Sequence, residues 1–466
     1  MGPQEKLELD VRDFWRIHSG LEVYARLDTK ATMERLKAHK EDALCTISPA
    51  SGDGKLFCTR DGYQAIFDLA ERHVNSLPVP DDYSPDEVAK QIRRYIVQAI
   101  VEQKADEPAL AWVLAKAVAE VEVGHVERTY HFPCVLVNCR KPPTFQFGPV
   151  TFTTAEHFPV SMAEVLRRYC EDRPDRTDRP ERAEGFKKHV AEYGWIATVT
   201  VPPCAEERGR QMAELVISTA INLLRALLGN PNARDIRLAN APQSKPIHSE
   251  YACEERGELH LNFSRRALGI LADDNWLVYV KRNRDFWNQA EHLLKAATLG
   301  KKSEISSRVI DALGWFGEAA FEPAPGTKIV KYVLALERLS TTSLFRPHTF
   351  CMRVALMAAQ NDSEFERCYW DAYAVYVDRS QVVHGGISAR TGGQGKNLRS
   401  AHEITRKVLF RGLGVHCSLD DSGACSTLAD LRNLFQKWQS PKADLFKKLS
   451  AELKIRQKAD RKLLRE

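Results

Sequence analysis

Charge of one sign, closely spaced cysteines and long apolar runs are all scarce in this sequence, and each scarcity removes a class of protein. The 67 Lys and Arg nearly balance the 62 Asp and Glu, giving a net charge of +5 over 466 residues, so the distribution of charge matters more than its total. The longest apolar stretch, Met212 to Leu228, is interrupted by Glu214, Asn222 and Arg225. These would be costly in hydrocarbon but suit an amphipathic helix, and no membrane span is expected. The opening MGPQEKLELDVRDFW places acids where a secretory signal has a positive patch and an apolar run. Gly2 also lacks the downstream Ser or Thr of a myristoylation site. Eleven cysteines, an odd number, are scattered singly. They predict free thiols, no disulfides and a reducing, cytoplasmic setting.

Several short chemical motifs are absent as well. His131-x-x-Cys134 with Cys139 comes nearest to a metal pattern but has no second CxxC or HxxxH, so structural thiols are expected, with no metal and no cofactor. There is no GxSxG elbow and no HExxH. Gly392-Gly393-Gln394-Gly395-Lys396-Asn397 has Arg390 where a phosphate loop needs its first glycine, and Asn397 where it needs Ser or Thr. Asp82, Glu87 and Lys90 do not make a nuclease carboxylate set, because they belong to a helix start and lack the strand such sites need.

What remains is an ordinary folding composition, 44% apolar and 28% charged, on a chain about three times the usual domain length of ~150 residues. The pattern predicts an α+β protein. Residues 1–125 read as mainly helical, with a start at Ser84-Pro85-Asp86-Glu87, where Ser84 caps, Pro85 enters the first turn and Glu87 completes a capping box. Residues 126–285 read as a mixed α/β region: HFPCVLVNC, FQFGPVTFT, YGWIATVTV and ELHLNFS are strands, with a long helix near 207–228. Segments 171–184 and 229–246 read as surface loops. From 286 to 425 only helical periods remain, at 286–298, 303–321, 328–340, 349–360, 363–384 and 400–412, predicting a separate all-α bundle. Residues 426–466 read as a basic amphipathic helical tail. Ten Lys or Arg face four Asp or Glu between Lys437 and Glu466, a local +6. The tail reads either as a solvated helix with one packed face or as a phosphate-attracting arm.

The most informative segment is residues 363–386, SEFERCYWDAYAVYVDRSQVVHGG. Its apolar stripe runs through Phe365, Cys368/Tyr369, Ala372, Val375/Tyr376 and Val382/Val383, and Arg379 interrupts it. A buried guanidinium needs an anion or a wet cavity. His384 follows five residues later in the last turn, at the negative end of the helix dipole, before a Gly385-Gly386 stop. Imidazole exchanges protons near neutrality, and guanidinium offers a permanent fork of donors. Together they suit phosphodiester chemistry. Glu337 breaks the stripe of KIVKYVLALERLS in the same way, and its candidate partners are Arg353 and Arg379.

The order of ALER (335–338), CMRVAL (351–356), a Tyr-rich helix ending in DRSQVVHGG (378–386) and a closing helix after a polar loop resembles the Apea-like branch of the HEPN domains, over roughly 303–412. The resemblance implies a HEPN-like helical bundle and a metal-independent ribonuclease site of Arg379 and His384, assembled across a homodimer. Ser380 stands where many HEPN nucleases have Asn, and Glu337 and Arg353 take supporting places. Arg390, Lys396 and Arg399 on the loop after the motif are candidates for RNA contact. The expected function is a cytoplasmic endoribonuclease of defence or toxin type. It cuts tRNA or mRNA to 2′,3′-cyclic phosphate and 5′-OH ends, with residues 1–285 receiving a trigger or regulatory protein. The alternative is a HEPN module without catalysis that dimerises, binds RNA or regulates a partner enzyme.

Overall fold

A computed structural model describes residues 2–25, 45–47, 56–78, 80–101, 107–139, 141–171, 179–229, 236–239, 248–255, 258–265, 273–300, 303–342, 346–390, 395–421 and 427–463. The protein is α+β, mostly helical with a small antiparallel sheet. It divides into two compact units, one of residues 1–128 with 201–212 and the other of 129–200 with 213–466.

In the first unit, helices α1 (Pro3–Ala25), α2 (Arg60–Val74), α3 (Pro85–Val101) and α4 (Glu107–Val123) accompany a short pair, β1 (Cys45–Ile47) and β2 (Leu56–Cys58). Apolar residues at helical spacing build its core, among them Phe14, Ile17, Ile66, Leu69, Ile92, Ile96 and Val113. Helices α1 and α2 approach closely at Gly20, where a Cβ would come within 2.6 Å of Thr59 Oγ1. Thr59 caps α2 by accepting from Gly62 N at 3.2 Å. A charge network crosses the same contact: Arg72 donates to Asp10 at 2.9 Å and to Asp13, and Arg16 donates to Asp13 at 2.7 Å and twice to Asp61. Glu87 accepts the backbone N–H of Glu207 at 3.0 Å, so its carboxylate serves the start of another helix.

The second unit is built around a sheet of β3 (Val126–Val135), β4 (Thr144–Phe147), β5 (Val150–Thr154), β6 (Trp195–Cys204) and β7 (Arg237–Leu238), in the order β4-β5-β6-β3-β7. Short helices α5 (Phe158–Ser161), α6 (Ala163–Glu171) and α7 (Arg179–Tyr193) precede β6, and α8 (Glu206–Leu228) follows it, with residues 201–212 at the end of β6 and the start of α8 belonging to the first unit. Strands β8 (His248–Glu255) and β9 (Glu258–Arg265) form a separate hairpin. Helix α8 is long and apolar enough to cross a membrane by length and composition, but its apolar window is largely buried within the protein. Two segments expected as loops hold structure. Helix α7 occupies the end of 171–184, and β7 adds two residues to the sheet beside Cys134 and Val135. Two residues are too few to show a period of two, so only pairing reveals β7. His131 bonds Thr198 Oγ1 at 2.9 Å, and Cys134 is buried in the sheet.

Helices α9 (Trp276–Lys281), α10 (Arg284–Thr298), α11 (Glu304–Phe321), α12 (Pro325–Ser340), α13 (Pro347–Ala358), α14 (Asp362–Val383), α15 (Gly395–Asp421), α16 (Leu428–Gln439) and α17 (Ala443–Leu463) complete the unit. The break expected near residue 286 is not where the chain divides. Phe147 on β4 meets Trp287 on α10 at 4.1 Å, and Trp276 Nε1 donates to Lys141 O at 3.0 Å. The change from strand to helix at 286 thus marks a change of element within one compact unit. The closing helix begins at 395, ahead of the expected 400. The first half of the basic tail is packed: Phe446, Leu449 and Leu453 are buried, with Phe446 5.6 Å from Phe365 on α14.

Candidate functional site

Helix α14 starts at Asn361, whose side chain accepts from Glu364 N at 3.0 Å, and it buries Phe365, Cys368, Tyr369, Ala372, Tyr373, Val375 and Asp378. The apolar stripe ends sooner than expected, since Val383 is 52% exposed. Arg379 sits where the buried face gives out. Its Nη2 lies 3.8 Å from Glu337 Oε1 on α12, and its buried Nε has no acceptor. Burial pushes the Glu337 carboxyl above its ordinary value, and Arg379 only partly offsets this. A guanidinium with one loose partner and an orphaned donor still has capacity for an anion.

Of the two partners considered for Glu337, the structure selects Arg379. Arg353 is buried but donates to Ser340 O at 2.9 Å and lies over the Phe435 ring at 4.9 Å. It closes the end of α12, where helical carbonyls lack internal partners. A pattern of apolar residues marks both arginines as buried, but it cannot distinguish a carboxylate partner from a backbone carbonyl.

His384 is the C-cap of α14, with its N–H donating to Ser380 O at 3.0 Å, and its side chain is exposed. Gly385 turns the chain at φ 76°, a left-handed conformation that favours glycine. Gly386 and Ile387 then return their N–H groups to Gln381 O. The chain is fixed to the start of α12, where Gly326 N donates to Ala389 O at 3.1 Å. A Cβ on Gly326 would approach Ala389 Cα to 2.9 Å, so only glycine suits this contact. Five helical steps separate Arg379 and His384 by about 140° around the axis. No hydrogen bond joins them within one chain, and Ser380 lies half-buried between them.

Asp378 was missed by the sequence reading. It is buried next to Arg379, its carboxyl is raised by burial, and Asn397 Nδ2 donates to its Oδ2 at 2.8 Å. This bond ties the first turn of α15 to the last turns of α14 across the glycine-rich loop. The available signal was the i, i+3 step from Val375 to Asp378 on the buried face. Of the three loop cations, Arg390 is exposed and Arg399 pairs with Glu403 at 3.2 Å. The Lys396 side chain lies outside the described residues. No group of three or more His, Cys, Asp or Glu among the described residues is placed to hold a metal ion. Set against known proteins, the chain matches no family model, no curated protein and no solved structure.

Proposed function

We propose that residues 303–412 form a HEPN-like bundle and that the chain is a metal-independent endoribonuclease acting as a homodimer. The observation that carries this reading is the end of α14, where Arg379 keeps an orphaned Nε and an exposed His384 follows within five residues. RNA supplies what that end lacks. The substrate 2′-oxygen attacks the adjacent phosphorus and its proton passes to a base. The P–O5′ bond breaks while an acid protonates the leaving oxygen, giving 2′,3′-cyclic phosphate and 5′-OH ends. His384 of one protomer serves as base, its equivalent in the partner as acid, and Arg379 neutralises the charge that builds on phosphorus. The isolated position of each His384 gives dimerisation a chemical purpose. The substrate is tRNA or mRNA in the cytoplasm, and residues 1–285 receive the trigger.

The Arg379–Glu337 ion pair favours a second reading, in which the bundle dimerises or binds RNA without cutting it. One experiment separates the two. Wild type, Arg379→Ala and His384→Ala are incubated with total tRNA and mRNA, with and without EDTA, and product ends are identified. Cleavage that survives EDTA and falls about 10²–10⁴-fold on loss of His384 is expected. Strict dependence on Mg2+ overturns the metal-independent mechanism, and equal inactivity of all three proteins with RNA binding retained replaces this reading with the second.

A further inference from the structure

The C-terminus of α12 presents another site. Three arginines from three helices converge on three successive carbonyls: Arg353 of α13 on Ser340 O, Arg308 of α11 on Thr341 O, and Arg432 of α16 on Thr342 O at 3.1 Å. The negative end of a helix offsets only about half of one elementary charge. Carboxylates do little more. Among the described residues none lies within ion-pair distance of these three arginines. Asp311 is taken by Arg338, and Glu304 accepts Leu428 N at 2.8 Å.

A cleft of about 430 Å³ opens here, lined by Arg308, Trp315, Glu337, Arg338, Thr341 and Thr342. Two of its lining side chains hold unmet hydrogen-bonding capacity. Arg308 Nε is buried without an acceptor, and Thr342, only 2% exposed, has an unpartnered Oγ1. Orphaned buried polar atoms are uncommon and point to a missing partner. The partner must be anionic to match the arginines, and small enough for a cleft of ligand size. Trp315 adds an aromatic wall that suits a planar base, and Glu337 adds an acceptor that suits a sugar hydroxyl.

We propose that this cleft binds a nucleoside phosphate, its phosphate at Arg308 and Thr342 and its base against Trp315. The ligand is either a free nucleotide or one unit of an RNA strand, since both carry the same groups. Glu337 joins this cleft to Arg379 at 3.8 Å. An occupant that engages the carboxylate therefore loosens the hold on Arg379. That coupling rests on the ribonuclease reading, whereas the binding does not.

The test uses full-length protein carrying His384→Ala, so that RNA stays intact, and calorimetric titration with inorganic phosphate, AMP, GMP, CMP, UMP and a single-stranded oligoribonucleotide. Mononucleotides are expected to bind more tightly than phosphate. Arg308→Gln should weaken phosphate and nucleotide together, by about tenfold or more. Trp315→Leu should weaken nucleotides by about fivefold or more and leave phosphate unchanged. The same two sensitivities with the oligonucleotide alone identify RNA as the source. If Arg308→Gln does not fold, as circular dichroism would show, Trp315→Leu decides alone, because selective loss of nucleotide over phosphate requires a base at that ring. Absence of binding by all six probes, or binding indifferent to Trp315, overturns the proposal. Cleavage by the wild type is scored separately, so a failed cleft and a failed nuclease reading give different results.

Discussion

Two charged clusters in this protein are built from the same side chains to opposite effect. Between α1 and α2, Arg72 and Arg16 meet Asp10, Asp13 and Asp61 through well-formed hydrogen bonds, and the Asp13 side chain is fully buried. The bonds Arg16 donates to Asp61 and Asp13 raise its guanidinium above its ordinary value, and Arg16 in turn holds Asp61 below the ordinary carboxylate value. Between α12 and α14, Arg379 meets one carboxylate at 3.8 Å, and burial of Glu337 outweighs their attraction. A closed network has no capacity to spare and works as a latch. An open one has capacity left for a substrate.

That contrast can be broken by experiment, most forcefully at the latch. Arg72→Ala leaves the buried Asp10 without its guanidinium and Asp13 with the hydrogen bond from Arg16, and is expected to cost about 3–5 kcal/mol in urea unfolding. A loss under about 1 kcal/mol would mean the network is ornamental. Next, Arg379→Ala should leave stability within about 1 kcal/mol while lowering RNA cleavage about 10²–10³-fold. Destabilisation comparable to Arg72→Ala, with cleavage intact, would make the two clusters equivalent.

A smaller effect is expected from Glu337→Gln. Because the folded carboxyl is raised, the native state holds a proton that the unfolded chain releases. Wild-type stability from this residue is therefore present below the ordinary glutamate value of 4.5 and is lost as pH rises through the higher folded value. The glutamine variant should lack that decline, with a difference of about 1 kcal/mol or less near neutrality. Unfolding curves of both proteins at pH 4 and pH 7 measure it, and a wild type that gains stability relative to the glutamine variant over the interval would reverse the sign. Smallest of all, Lys447→Glu with Lys448→Glu should shift stability by no more than about 0.5 kcal/mol, as exposed charges do. A larger shift would show that the charges of α17 help hold the helix as its buried Phe446 does.

Much of this was legible in the sequence because burial writes a period. The helices expected between 286 and 384 fall close to their bounds, since each needs an apolar face every 3.6 residues, whereas the closing helix expected at 400–412 runs Gly395–Asp421. Arg379 and Glu337 stood out for the same reason, as charges on an apolar stripe. Asp378 did not, because its partner Asn397 lies 19 residues away across a loop. The convergence of Arg308, Arg353 and Arg432 was equally hidden. Their acceptors are backbone carbonyls, which every residue carries and no sequence pattern distinguishes.

The amino-acid order alone determined most of the helices and strands and marked Glu337 and Arg379 as charges on apolar stripes, because periodicity and the cost of desolvation act locally. Only the tertiary structure decided which partner each buried charge found. It gave Glu337 to Arg379, Arg353 to the end of α12 and Glu87 to the start of α8, because a hydrogen bond depends on ångström distances between segments far apart in the chain.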